Sequence, residues 1–328
     1  DEVYRINVQD TACSKAMAKA AREQEIHPVR DYLDGLEWDG VDRLSKMLPY
    51  YWRTSSSPLI GQIGVCFMIS CVARIYDPGC QVDTTLILVG RQGSKKSTSI
   101  QFGLCPDPEW FGEAALDFSG RDKDSLMQIA GKWLYEIAEL SGFSKRENRD
   151  IKAFLTRKID EFRPPYGRNI GEYPRQCCFI GTTNEDVFLK DPTGSRRFWP
   201  VRVGKTRLVE LQRDRDQLWA EAKARYERGE NWHFDDDYEE LLKEANEEFQ
   251  VENPWAELIG TWLDAFPPGH RFTMSELMTG ALEIPPERQS KRAQGDVSKV
   301  FQTLQITRVG RARRGGGRVY LWAREAAS

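Results

Sequence analysis

A glycine- and lysine-rich stretch, GRQGSKKST at residues 90–98, contains the residue types that bind phosphate groups. It nearly matches G-x-x-x-x-G-K-[ST], in which backbone N–H groups and a helix N-terminus hold phosphates, the lysine binds the β and γ oxygens, and the hydroxyl ligates Mg²⁺. Lys96 and Ser97 fill the last two roles. The predicted nucleotide-binding residues are Gly90, Gly93, Ser94, Lys95, Lys96, Ser97 and Thr98.

One position departs from this pattern, because Lys95 stands where the final glycine is expected. Glycine there allows the phosphate to approach the backbone closely, and a lysine side chain would lie near the β-phosphate. Intact binding, weakened binding and an inactive site all stay open. The competing interpretation of the whole stretch is a Gly/Lys/Ser-rich surface loop after a strand.

A second apolar run, WLYEIAEL at residues 133–140, offers two carboxylates, Glu136 and Glu139. In a nucleotide hydrolase such groups hold Mg²⁺ and polarise the attacking water, so the predicted metal site is Ser97, Glu136 and Glu139. Residues three apart on a strand point to opposite faces, so the strand must end or bulge between the two acids if both act. An amphipathic segment with solvated acids is the alternative.

Polar residues also follow a third apolar run, at residues 177–183. Asn184 comes directly after it and is predicted to orient the attacking water or contact the γ-phosphate; a turn-initiating asparagine is the alternative. Arg196 and Arg197 lie on a turn before a further apolar segment. Either could be an arginine finger that acts on the nucleotide of a neighbouring subunit, or both could form structural salt bridges.

The sequence also predicts the elements that would position these candidate residues, because strand and helix patterns alternate along the chain. Residues 1–80 are predicted to be helical, with breaks at the prolines, and the apolar run at 85–89 starts an α/β core. We expect four regions: an N-terminal helical region at 1–80, an ATPase-type core at 81–205, an acidic helical extension at 206–252, and a basic module at 253–328.

The basic module is predicted to contain helices at 255–266, 273–282 and 295–304, then a short strand, a glycine-rich turn at 310–318 and a strand at 319–322. Three helices and a hairpin are typical of a winged-helix-like domain that binds DNA or RNA. The alternative is a solvated basic loop on a protein-interaction domain. In the winged-helix-like interpretation, the predicted nucleic-acid contacts are Arg311, Arg313, Arg314 and Arg318.

Composition narrows the remaining possibilities. The seven cysteines form no C-x-x-C pair and the three histidines are far apart in sequence, so we expect buried free thiols and no zinc site. No apolar run approaches the roughly 20 residues that span a bilayer, and no signal segment is visible, so we expect a cytoplasmic protein without a membrane partner. The chain begins at Asp1 without Met, which suggests a fragment of something longer, and whether a preceding domain, such as a primase, was removed stays open.

Several motifs together resemble the virulence-associated protein E family of phages and mobile islands. They are HPVRDYL at 27–33, WDGVDRL at 38–44, PGC at 78–80, PPYGR at 164–168, GTTN at 181–184 and DPTGSRRFWP at 191–200. The resemblance implies a P-loop ATPase core of the superfamily 3 helicase type, with ATP and Mg²⁺ as cofactors. It also implies a homo-oligomeric ring, usually a hexamer, that acts on single-stranded or forked DNA.

By the same resemblance, Lys96 and Ser97 would be Walker A residues, Glu136 and Glu139 Walker B acids, and Asn184 the sensor. Arg196 or Arg197 would be the finger. Related helicases carry a channel hairpin between acids and sensor, here at 157–175. Its predicted DNA contacts are Arg163, Tyr166 and Arg168, with a stabilising turn as the alternative.

The leading hypothesis is therefore an ATP-driven, ring-forming DNA helicase or translocase that serves replication of a mobile element. The main alternative is a DNA-binding replication or regulatory factor with a degenerate, non-hydrolysing P-loop, which Lys95 favours. A small-molecule kinase would need neither the basic hairpin nor the paired arginines. ATP turnover distinguishes the helicase from the non-hydrolysing factor. A protein that stays monomeric and does not bind DNA would favour the small-molecule kinase.

Overall fold

The computed structural model describes residues 26–118, 123–139, 145–163, 170–189, 195–249, 254–267, 269–301, 304–314 and 317–324. Contacts divide the chain into two compact units, Asp1–Gln250 and Val251–Ser328. The Asn-Pro break at residues 253–254 lies close to this division.

A five-stranded parallel sheet forms the centre of the first unit, with the strand order β2-β3-β6-β1-β7. Two more strands, β4 and β5, form a separate antiparallel hairpin. The predicted α/β class is confirmed. The strands are β1 Thr85–Val89, β2 Phe111–Gly112, β3 Leu134–Ile137, β4 Ile159–Phe162, β5 Gly171–Pro174, β6 Cys178–Thr183 and β7 Phe198–Arg202.

Strand β1 lies between β6 and β7, and four of its five residues are apolar because both faces of the sheet are covered. Leu86 and Leu88 pack into one apolar cluster, whereas Ile87 and Val89 pack into another on the opposite face. Side chains alternate between the faces of a strand, so a strand buried on both sides needs a continuous apolar run.

Helices cover the sheet, and the shortest of them, α4, continues directly as a π-helical turn, Ser99–Leu104. The long helix α7 packs against α3 and against this turn. Among the described residues of this unit the helices are α1 Pro28–Asp34, α2 Met47–Trp52, α3 Pro58–Tyr76, α4 Lys96–Thr98, α5 Lys123–Ile129, α6 Lys145–Leu155, α7 Leu208–Glu227 and α8 Asp236–Glu247.

Prolines mark two of the helix starts in this unit. Pro28 and Pro58 occupy the first helical position of α1 and α3, where a missing N–H costs nothing, and the Ser57 side chain accepts from the backbone N–H of Ile60. The break expected at Pro49 is wrong, because this residue lies in the first turn of α2. Backbone N–H groups there have no intrahelical acceptor, so proline is tolerated.

Helix α3 is longer and more apolar than expected from the sequence. It is the one helix of the described residues long and apolar enough to cross a membrane, but 78% of its most apolar window is buried inside the protein. Residues such as Phe67, Met68 and Val72 belong to the main apolar cluster. Its apolar character is therefore that of a core helix.

The second unit combines three helices, α9 Pro254–Asp264, α10 Met274–Leu282 and α11 Lys291–Phe301, with an antiparallel hairpin, β8 Ile306–Arg314 and β9 Gly317–Arg324. Two predicted boundaries are wrong. Helix α11 begins before residue 295, because the Ser290 hydroxyl accepts from the Ala293 N–H at 3.2 Å. Most of the predicted turn at 310–318 is strand, because a register shift between Arg308 and Gly310 lets pairing continue.

Candidate functional site

Three segments with predicted chemistry meet at one edge of the central sheet. Strands β3, β6 and β1 are adjacent and parallel, so the segments that follow them lie side by side. Residues 90–97 follow β1, Glu136 lies near the end of β3, and Asn184 follows β6. We call this edge the carboxyl edge.

The loop at residues 90–97 depends on two glycines. A Cβ atom at Gly90 would lie only 2.8 Å from the carbonyl oxygen of Val203, so a side chain does not fit there. Gly93 has a φ of +82°, in the left-handed region that glycine adopts without steric cost. The loop ends at α4, which starts at Lys96.

Lys95 adopts the same left-handed conformation without the freedom of glycine, with φ 64° and ψ 35°. This conformation costs a residue with a Cβ atom roughly 1 kcal/mol. Its side chain is exposed. The lysine therefore preserves the backbone geometry that the glycine of the pattern would adopt, at the expense of local strain.

The Lys96 amino group lies at the centre of the carboxyl edge. Its Nζ donates to the carbonyl oxygens of Gly90 and Arg91 at 2.7 and 3.2 Å, and to Asn184 Oδ1 at 2.8 Å. Burial lowers the pKa of this amine, although the Glu136 carboxylate acts in the opposite sense. The structure thus brings together the loop lysine and the predicted sensor asparagine.

Glu136 is the most buried acid of this edge, only 2% exposed. Its Oε1 accepts two hydrogen bonds of 2.6 Å, from the hydroxyls of Ser97 and Thr182. Its Oε2 is buried and has no hydrogen-bond partner among the residues that the structure describes. A buried carboxylate oxygen without a donor is costly, and a cation or a water molecule at this position would satisfy it.

The structure does not bring Glu139 into this group. Strand β3 ends at Ile137, so the strand does end between the two acids, as their joint action would require. Glu139 lies beyond it with a φ of 53° and an exposed side chain. In the described residues no group of three or more His, Cys, Asp or Glu side chains could hold a metal.

The two candidate finger residues lie at the opposite edge, which we call the amino edge. The short 3-10 helix Ser195–Arg197 directly precedes β7, and Asp83 lies just before β1, which is parallel to β7. Arg197 forms an ion pair with Asp83 over 3.4 Å, whereas Arg196 is exposed. Both arginines line a cavity of about 330 Å³ at this edge.

The predicted channel hairpin is only partly described. Strands β4 and β5 pair as an antiparallel hairpin, and Arg163 at its described end is exposed. Tyr166 and Arg168 lie outside the described residues. Arg175, just after β5, is buried: its Nε donates to Asp160 Oδ2 at 2.8 Å, and it lies over the Phe154 ring. Arg175 is therefore part of the core.

In the second unit the predicted nucleic-acid contacts lie on β8 and β9. Arg311 pairs across the hairpin with Tyr320, and Arg311 and Arg308 place their guanidinium carbons 5.0 and 3.4 Å from the centre of its ring. Arg313 is exposed. The backbones of Arg314 and Arg318 belong to the two strands, but their side chains lie outside the described part of the chain.

Sequence reasoning missed three polar residues that support these sites. Thr182 bonds to Glu136, Asp83 to Arg197, and Thr206 donates through its N–H and hydroxyl to the Ser94 carbonyl oxygen at 3.2 and 3.1 Å. Two signals were available for Thr182: its hydroxyl inside the apolar run at 177–183, and its place in the GTTN motif at 181–184. The other two pairings are long-range and leave no local pattern.

Comparisons with known proteins agree with this architecture. The A form apo structure of the NrS-1 C-terminal region is similar, with a TM-score of 0.56 and 9% identity over 92% of this chain and 79% of that chain. Another apo structure of that region, residues 305–718, has a TM-score of 0.49, 11% identity and the same shares of coverage. At 9% identity, the first likeness shows a shared fold. No curated protein sequence matches the chain.

The family is shown by the sequence itself. Residues 33–251 match the Virulence-associated protein E-like domain, and this stretch contains the 90–97 loop, Glu136, Asn184 and both arginines of the amino edge. The match spans more than half of the 328 residues. The resemblance predicted from the motifs is thus confirmed, and the chain belongs to the Virulence-associated protein E-like family.

Proposed function

We propose that the protein is an ATP-driven, ring-forming DNA helicase or translocase that serves replication of a phage or another mobile element. The observation that carries the proposal is the convergence of Lys96, Ser97, Glu136 and Asn184 at the carboxyl edge, linked by hydrogen bonds of 2.6–2.8 Å. Phosphoryl transfer relies on such positioned charges and dipoles more than on covalent chemistry.

Lys96 would bind the β and γ phosphates of ATP. In the structure its amino group contacts backbone carbonyl oxygens and an amide oxygen. These acceptors are neutral, whereas phosphate oxygens carry negative charge and attract the ammonium group more strongly. Binding of ATP would therefore draw Lys96 toward the nucleotide and release Asn184 to contact the γ-phosphate or the attacking water.

The residues present also fit Mg²⁺. Ser97 Oγ and the unpartnered Glu136 Oε2 are the oxygen ligands that would hold the ion, directly or through water, together with phosphate oxygens. When bound, the ion neutralises charge that develops on the phosphates. Thr182 holds Glu136 Oε1, so that the other carboxylate oxygen remains available to orient or deprotonate water.

Hydrolysis would need a second subunit. Arg196 and Arg197 precede β7, whereas the 90–97 loop follows β1, so the five residues of β7 separate the two edges. That is about 17 Å at roughly 3.3 Å per residue. These arginines therefore cannot reach the nucleotide of their own subunit, but the exposed Arg196 can present its charge to a neighbour in a ring.

DNA would be held by exposed cations in each of the two units. Arg163, Arg311 and Arg313 are exposed, and the Tyr320 ring, 45% exposed, lies beside Arg308 and Arg311. Arginines bind the phosphate backbone without reading sequence, and an aromatic ring can stack on an unpaired base. This combination suits single-stranded DNA of any sequence.

The proposal is tested by ATP hydrolysis with and without single-stranded DNA, comparing the unaltered protein with Glu136→Gln. A carboxamide cannot accept a proton, so we expect turnover to fall by roughly 10²- to 10⁴-fold while ATP binding persists. Glu109→Gln, at an exposed acid of the same unit, serves as the matched control and should hydrolyse normally. Equal turnover in Glu136→Gln and the control would reject the proposal.

A second candidate function is a DNA-binding replication factor whose nucleotide site does not hydrolyse ATP. Two observations favour it: the left-handed backbone at Lys95, and the hydrogen bonds that hold Lys96 against its own loop. Lys95→Gly separates the candidates. Turnover only in Lys95→Gly would identify this chain as a disabled ATPase, whereas turnover in both proteins would support the ATP-driven enzyme.

A further inference from the structure

The order of strands in the central sheet determines which way a bound nucleotide extends along the carboxyl edge. Asn184 and Glu136 follow or end β6 and β3, which lie on one side of β1, whereas β7 lies on its other side. If the terminal phosphate lies beside Asn184 and Glu136, the nucleoside must extend past β1 toward β7. This step rests on the proposed nucleotide-binding function.

The segment after β7 is tied directly to the 90–97 loop. Thr206 donates twice to the Ser94 carbonyl oxygen, through its N–H and its hydroxyl, and Val203 N–H donates to the carbonyl oxygen of Val89 at 2.8 Å. The same segment holds the end of α2, since the N–H groups of Gly204 and Arg207 donate to Trp52 and Tyr51, each at 2.8 Å. Helix α2 therefore ends beside the loop.

An exposed aromatic ring lies at this junction. Tyr50 is 42% exposed, and the Arg207 guanidinium carbon lies 4.8 Å from the centre of its ring. The Nε of Arg207 is buried and has no hydrogen-bond partner in the described residues. The guanidinium group therefore packs on one face of the Tyr50 ring and orients it.

Two other apolar side chains stay exposed on the neighbouring segments. Phe102, on the π-helical turn that continues α4, is 47% exposed, and Val209, in the first turn of α7, is 75% exposed. The segments are joined, because the Trp52 indole donates to Ser99 Oγ at 2.8 Å and Gln212 donates to the Phe102 carbonyl oxygen at 3.1 Å. Apolar surface that a folded unit leaves open beside a polar loop suits a flat organic group.

We propose that Tyr50 stacks on the purine base of the bound nucleotide, with Arg207 holding the ring in place. Tyr50 and Arg207 are thus the residues that distinguish a nucleoside triphosphate from a bare chain of phosphates. The 90–97 loop contacts only the phosphates, whereas the surface beside β7 contacts the base.

The test compares two ligands in the presence of Mg²⁺, ATP and inorganic tripolyphosphate, each titrated calorimetrically against the full chain and its variants. Base–aromatic stacking contributes about 1–3 kcal/mol, and 1.4 kcal/mol corresponds to tenfold in affinity. We expect Tyr50→Ala to weaken ATP binding by about tenfold and to leave tripolyphosphate binding unchanged. Tyr50→Phe keeps the ring and should bind ATP as the unaltered protein does.

Tyr173→Ala is the matched control, because Tyr173 is 37% exposed and lies on the β4–β5 hairpin, away from the loop. It should not change either affinity. Unchanged ATP binding by Tyr50→Ala would overturn the base site, and so would an equal loss of both ligands. Failure of the unaltered protein to bind either ligand would overturn the proposed nucleotide function, and the base site with it.

Discussion

The two edges of the central sheet carry their charged groups in opposite ways. At the carboxyl edge, Lys96, Asn184, Ser97 and Glu136 converge within hydrogen-bond distance, and both Lys96 and Glu136 are less than 9% exposed. At the amino edge, Arg196 is exposed, whereas Arg197 is half-buried and forms an ion pair with Asp83.

Because their charged groups are arranged differently, the two edges differ in what they can bind within one subunit. Convergent buried groups are preorganised, so a ligand can bind without ordering them first. In an isolated subunit, water screens the charge of an exposed arginine, so its electrostatic interactions are weak. They become strong only when a neighbouring subunit excludes the water. Under the proposed function, the carboxyl edge is a site within one subunit, and the amino edge is half of a site between two.

The largest effect expected from this comparison is that of Arg196→Ala. If Arg196 completes the neighbour's site, its loss should lower ATP hydrolysis by roughly 10³-fold or more, with ATP binding and oligomeric state retained. Steady-state turnover beside equilibrium ATP binding measures this. Arg197→Ala should instead reduce stability, because it leaves the half-buried Asp83 carboxylate without its counter-charge. Normal turnover in Arg196→Ala would contradict the division of roles between the edges.

A smaller effect, on DNA binding, is expected when arginines of the basic hairpin in the second unit are replaced. Like Arg196 they are exposed, but their proposed partner is a polyanion. Replacing Arg311 and Arg313 together by alanine should reduce the salt dependence of single-stranded DNA binding by about 1.4 in the log–log slope, or about 0.7 for each phosphate that is no longer neutralised. Fluorescence anisotropy at several salt concentrations measures the slope.

ATP binding should stay unchanged in this double variant. Arg271→Ala, at an exposed arginine of the same unit outside the hairpin, is the control and should leave the slope nearly unaltered. If the double variant and the control give the same slope, the hairpin does not contact DNA.

The smallest effect concerns Lys95, at the carboxyl edge itself. Its φ of 64° is strained for lysine and natural for glycine, so Lys95→Gly should raise the free energy of unfolding by up to about 1 kcal/mol. Denaturant unfolding followed by circular dichroism measures the change. Lys95→Ala keeps the Cβ atom and should give no such gain. Destabilisation by Lys95→Gly would show that the lysine side chain contributes contacts that outweigh the strain.

The sequence predicted those parts of the site that follow from local pattern. Asn184 directly follows one apolar run, Glu136 lies near the end of another, and Lys96 and Ser97 close the loop that follows a third. Parallel strands bring such segments together at one edge. The roles assigned to these residues remain predictions. The α/β class followed from the alternation of strands and helices, and the family from the combination of motifs.

The remainder depends on contacts between segments far apart in the chain. Arg175 lies in an arginine-rich stretch of the sequence, but Asp160 and the Phe154 ring enclose its side chain. The partnership of Thr182 with Glu136 spans 46 positions, and no spacing rule links them. Two errors in the predicted elements have the same origin. Pro49 is tolerated inside α2 because it lies in the first turn, and the hairpin strands are longer than predicted because a register shift lets their pairing continue.

The central claim is that the carboxyl edge of one subunit and the amino edge of the next form a single ATPase site. The most direct test mixes two variants, Glu136→Gln and Arg196→Ala, each expected to be nearly inactive alone. In mixed rings some interfaces contain an intact Glu136 on one side and an intact Arg196 on the other. We therefore predict that mixing restores a measurable part of the DNA-stimulated ATP hydrolysis. No recovery, in mixtures shown to co-assemble, would contradict the claim.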